Sequence, residues 1–142
     1  MLASHPDFPN SNIHPFILTS PQTWNYNCIA WAYGDDTRWY WPTEHPHHYW
    51  PPNIRNELDL QSFIELYQLV GYKVCENNSL ELGLEKIAIF GQPNGEPTHA
   101  ARQLLNGNWT SKMGGWHDIE HTLTSLDSPV YGSALVFMSR SI

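Results

Sequence analysis

Charge is scarce in this sequence. Only 15% of the 142 residues are Asp, Glu, Lys or Arg, and only seven are cationic. Those seven stand apart, at Arg38, Arg55, Lys73, Lys86, Arg102, Lys112 and Arg140. A nucleic-acid surface needs clustered cations to neutralise phosphates, so nucleic acid is excluded as an expected partner. The net charge of −7 with His neutral points the same way. Long apolar runs are also missing, and no stretch approaches the roughly 20 residues that a helix needs to cross a bilayer. Cysteine is limited to Cys28 and Cys75, too few for a disulfide scaffold at this length. Both are expected to be free thiols, which favours a reducing compartment. Residues Met1 to Asn10 lack the basic and apolar regions of a signal peptide. The expectation is a cytoplasmic protein, or one secreted as part of a larger effector whose address lies elsewhere.

What is present reads as a single domain over residues 1–142, long enough to bury a core unaided. Residues 1–22 are rich in Pro, Ser and Asn and read as an extended N-terminal arm. Residues 24–33 read as a helix capped by Asn25 or Asn27 and stopped by Gly34. Residues 35–56, with four prolines, read as a long irregular loop, and such loops in small domains are usually functional. Residues 57–70 carry apolar side chains at helical spacing and end at Gly71. Strands are expected at 72–75, 86–90, 97–105, 108–113 and 131–138, with a hairpin turn at Asn106-Gly107. Residues 116–126 suit either a helix or a turn. Helices first and an antiparallel sheet after them make an α+β pattern.

The chemistry concentrates on Tyr26-Asn27-Cys28-Ile29-Ala30-Trp31-Ala32 and, downstream, Thr98-His99-Ala100-Ala101-Arg102. A thiolate is the nucleophile, and unpaired N–H groups at a helix start lower a thiol pKa, as does a nearby imidazole. Cys28 stands at such a start, and His99 opens a strand after Pro97. Each also has an ordinary role, Cys28 as a small core residue and His99 as a strand histidine. Cys75 alternates like a strand residue and reads as structural. The histidines at 45, 47 and 48 could ligate a metal but lack a Cys or carboxylate pair at zinc-finger spacing. His117 and His121 stand four apart without the Glu of the HExxH motif. No metal and no cofactor is expected.

The motif around Cys28, with His99 and the Asn-Gly hairpin after it, resembles the papain-like cysteine peptidase superfamily, and within it the NlpC/P60 branch. The segments YNCIAWA, HAARQL and WTSKMG are also similar to those of a small uncharacterised bacterial domain family. The first resemblance implies an α+β papain-like fold, with an N-terminal nucleophile helix packed on a small antiparallel sheet. It makes Cys28 the nucleophile and His99 the base. A third polar residue across the hairpin falls on Ser111, with Asp118 as the alternative. Gln22, six residues before Cys28, takes the position of an oxyanion-hole donor. The implied activity is a cysteine hydrolase acting on amide bonds of a peptide or protein, such as peptidoglycan peptides or the target of a toxin-type effector. Glutamine deamidation or transglutaminase-type transfer would use the same chemistry. The rival from another class is a non-catalytic binding domain on a degenerate scaffold of that kind. Five of the seven tryptophans fall within residues 24–50, either pinning the loops or walling a cleft beside Cys28.

Overall fold

A free backbone N–H at a helix start needs an acceptor, and two short side chains provide one. Asn27 accepts from the Ala30 N–H at 3.2 Å and opens one helix; Asp59 accepts from the Ser62 N–H at 2.9 Å and opens the other. A computed structural model describes residues 1–42 and 46–142, so His45 of the histidine cluster lies outside the described residues. Along the chain come β1 (Leu2–Ala3), a 3₁₀ turn (Pro9–Asn12), β2 (Phe16–Leu18), α1 (Cys28–Tyr33), α2 (Leu60–Gln68) and β3 (Lys73–Cys75). There follow β4 (Leu84–Gly91), β5 (Pro97–Gln103), β6 (Trp109–Lys112), β7 (Asp118–His121), a 3₁₀ turn (Leu123–Leu126) and β8 (Ser133–Ser141).

The eight strands form one open sheet in the order β1-β2-β7-β6-β5-β4-β8-β3, with every strand pair antiparallel. This corrects the α+β papain-like expectation. Among the described residues there are only two α-helices, of six and nine residues, set against an eight-stranded sheet. Two local differences account for the change. The N-terminal arm does not merely wrap the domain: β1 and β2 extend the sheet through β7. Residues 118–121 are a strand, neither the helix nor the turn expected within 116–126, and Ile119 and His121 turn to the same buried face.

Strand alternation divides the core in two. Ile87, Ile89 and Ala100 pack beneath the helices with Ile29, Ala30, Phe63, Leu66 and Tyr67. Ala88, Phe90 and Ala101 face the other way, onto Phe8, Phe16, Trp109, Ile119 and Leu126. The continuous apolar run of β4 thus follows from burial on both faces.

Gly34 ends α1 at φ 103°, where its N–H reaches the Ala30 and Trp31 carbonyls. A Cβ at Gly34 would meet nothing within 4 Å. Gly34→Ala is therefore expected to cost only the left-handed backbone strain, about 1–2 kcal/mol in urea unfolding. An unchanged midpoint would rule out this cap.

Candidate functional site

Cys28 is the first residue of α1, and its side chain is buried. The cap leaves its own N–H and that of Ile29 unused, and these two, with the Ala100 N–H of β5, favour the thiolate. Burial nevertheless outweighs these donors and pushes the thiol up to about 11. A six-residue helix carries too little aligned dipole to reverse that, so the expected thiolate is a neutral thiol at rest. Asn27 does more than cap the helix. Its Nδ2 donates to the Tyr40 carbonyl at 2.7 Å, and its Oδ1 accepts from the Tyr40 N–H at 3.0 Å. Tyr40 lies between Trp39 and Trp41, which bond through the backbone to Tyr49. The long loop is thereby tied to the start of α1. A cleft of about 370 Å³ opens there, lined by Cys28, Trp39, Trp41, His48, Thr98 and Tyr131 among others.

His99 lies opposite Phe90 in the sheet and is wholly buried. Alternation along β5 sends Ala100 beneath α1, whereas the His99 ring packs against Phe90 and Tyr131. Thiol and imidazole therefore lie on opposite faces of β5. Near His99 this strand has left β6, since the two pair only at Arg102↔Thr110 and Gln103↔Trp109. The cleft includes both sides: Cys28 from one, and from the other Tyr131, whose ring stacks on His99 at 4.1 Å and 14°. The Thr98 hydroxyl holds the Tyr131 carbonyl at 2.5 Å. His99 Nε2 is 2.9 Å from Ser111 Oγ. Ser111 Oγ is 2.7 Å from His121 Nε2, and His121 Nδ1 is 2.7 Å from the Thr122 carbonyl. His99 Nδ1 has no hydrogen-bond partner, so none joins it to Cys28. Burial, with His121 beside it, holds the His99 imidazole well below its ordinary 6.5. Burial lowers His121 to about 4, against the opposing pull of the Thr122 carbonyl and the Glu120 charge. Both rings are neutral at pH 7.

Residues 17–139 match the model of a family described as a domain of unknown function, DUF7689. The chain belongs to that family. No curated protein and no solved structure matches it.

In this DUF7689 chain the residues singled out by sequence have separate fates. His99 and Ser111 meet at 2.9 Å across β5 and β6, while Cys28 lies at the start of α1 beside Ala100, the next residue of β5. Asp118 does not reach His99. It is buried on β7, where it accepts hydrogen bonds from the Ser20 hydroxyl and, at 2.6 Å, from the Tyr26 hydroxyl. Gln22 is exposed, 3.5 Å from His117 Nε2, and does not line the cleft. Cys75 is half-buried on β3, and both cysteines are free. Among the described residues no group of three or more His, Cys, Asp or Glu could hold a metal ion.

His121 is the participant that the sequence reading missed. The signal lay in register: Ser111 pairs with Ile119 across β6 and β7, and His121, two residues on, shares that face. Reading 118–121 as a strand would have brought His121 to Ser111.

Proposed function

We propose that this domain carries out cysteine-dependent acyl transfer at amide bonds, with Cys28 as nucleophile and His99 as base. The observation that carries the reading is a thiol at the first position of a capped helix, opening on a cleft beside a buried histidine with one bare ring nitrogen. The motif resemblance to cysteine peptidases supports the same chemistry, although the fold does not follow it.

Because thiol and imidazole both rest neutral, the thiol proton passes to His99 as the sulfur attacks the carbonyl carbon. The N–H groups of Cys28 and Ile29, free of the cap, are donors for the oxygen that gains charge. Collapse breaks the C–N bond, and the amine leaves with the proton from His99. A water, deprotonated by His99, then cleaves the thioester and restores the thiol. On a peptide this is hydrolysis and on a glutamine side chain deamidation; an amine in place of water gives transfer. A peptide or protein is the substrate class, and the aromatic wall of Trp39 and Trp41 supplies apolar contact for it.

A binding domain without catalysis is the second reading. It is favoured by the thiol raised to about 11 and by the missing Cys28–His99 hydrogen bond. A chromogenic acyl donor, 4-nitrophenyl acetate, separates the two. Catalysis predicts a nitrophenol burst equal to the protein concentration at pH 7.5, with the acetyl group on Cys28. Cys28→Ala abolishes the burst, and His99→Ala slows it by about 10²–10⁴-fold. No burst, with alkylation of Cys28 by iodoacetamide only as the pH nears 11, would decide for the binding domain.

A further inference from the structure

The polarity of the buried hydrogen-bond chain can be worked out from one end. The Thr122 carbonyl only accepts, so His121 Nδ1, 2.7 Å away, must carry a hydrogen. His121 is buried, and no carboxylate hydrogen-bonds to its ring among the described residues, so the ring is neutral and carries that hydrogen alone. Its Nε2 is then an acceptor, and Ser111 Oγ, 2.7 Å away, must donate its single proton there. With that proton spent, Ser111 Oγ can only accept from the other side. His99 Nε2, at 2.9 Å, must therefore donate. A neutral His99 with hydrogen on Nε2 has a bare lone pair on Nδ1, the buried ring atom that has no partner.

We propose that His121 is a positioning residue which, through Ser111, holds His99 as the Nε2–H tautomer and leaves Nδ1 as the proton acceptor of the Cys28 site. The last clause rests on the function proposed above; the tautomer assignment does not. The opposite polarity would set two acceptors, His121 Nδ1 and the Thr122 carbonyl, against each other at 2.7 Å. A backbone carbonyl two side chains away thus selects the nitrogen of the base, with no carboxylate in the chain. This goes beyond Ser111 as a simple orienter. A serine alone can donate or accept, so it does not choose a tautomer; His121 removes that freedom.

The test is ¹⁵N NMR of the full chain labelled at histidine, which separates protonated from bare ring nitrogens. In the wild type at pH 7.5, His99 is expected to show a protonated Nε2 and a bare Nδ1, and His121 a protonated Nδ1. His121→Phe frees the Ser111 proton for His99 Nε2. The His99 tautomer ratio should then move toward Nδ1–H by about tenfold, the equivalent of one hydrogen bond. His121→Gln, whose side-chain carbonyl can accept from Ser111, should restore the wild-type pattern, which general loosening of the core would not do. A wild-type His99 protonated on Nδ1 would overturn the proposal without any variant. So would a folded His121→Phe with an unchanged His99 pattern. Neither result depends on turnover, so an inert Cys28 leaves the tautomer assignment standing, and a wrong tautomer leaves the chemistry of Cys28 to its own test.

Discussion

Lys112→Met is expected to destabilise the protein by about 3–5 kcal/mol, read as a fall in the urea unfolding midpoint at pH 7.5. The sequence shows Lys112 as one of seven scattered cations. In the fold it is wholly buried, and its ammonium donates to the carbonyls of Thr23 at 2.7 Å, Gly114 at 2.5 Å and Trp116 at 2.7 Å. The Tyr26 ring lies 5.3 Å from the same nitrogen. Methionine keeps the apolar stem and leaves three carbonyl oxygens without a donor. Each such loss costs about 1–3 kcal/mol, lowered where the loop can turn its carbonyls to water. Gly114 lines the Cys28 cleft, so the same substitution should deform the site before the whole chain unfolds. A midpoint within about 1 kcal/mol of wild type would mean that the carbonyl cage does not form in solution.

Acid should weaken the fold well before the carboxylates titrate. An unfolded histidine binds a proton below about pH 6.5, whereas His121 in the fold binds one only near 4. Between these values the unfolded state holds more protons, so stability is full above pH 6.5 and falls as the pH drops. His121 alone accounts for a loss of about 3 kcal/mol by pH 4. His99 is also held well below its ordinary value and acts in the same direction. Urea midpoints measured from pH 7.5 to 4 should therefore fall, and His121→Phe should flatten the slope whatever it costs in overall stability. A flat profile in the wild type would show that these rings are not buried neutral.

Local signals are legible where the physics is local. Asn27 and Gly34 bound α1, because a cap and a left-handed stop act within one turn, although residues 24–27 of the expected helix lie outside it. The apolar spacing of residues 57–70 leads to α2, and the run at 86–90 to β4. The hairpin lies where Asn106-Gly107 put it, but its turn differs. Leu104 and Asn108 close a three-residue loop in which Gly107 takes φ 90°, while Asn106 serves as an acceptor for the Asn108 N–H. By contrast β1, β2 and β7 have two, three and four residues. Strands so short show almost no period, and without a turn signal beside them, such as Gly71 before β3 or Asn106-Gly107 before β6, their existence depends on partners far along the chain.

The sequence by itself determined the inventory of candidate groups: which thiol begins a helix, which imidazole stands on a strand and which serine stands across the hairpin. Only the tertiary structure decided what state those groups are in. Burial of Cys28 outweighs the N–H groups around it, and no local pattern reports how much water a folded chain excludes. The face of the sheet on which His99 lies, and the partnership of Ser111 with His121, follow from the register of β5, β6 and β7. Register is a relation between strands, and a one-residue slip would turn each of these side chains to the opposite face.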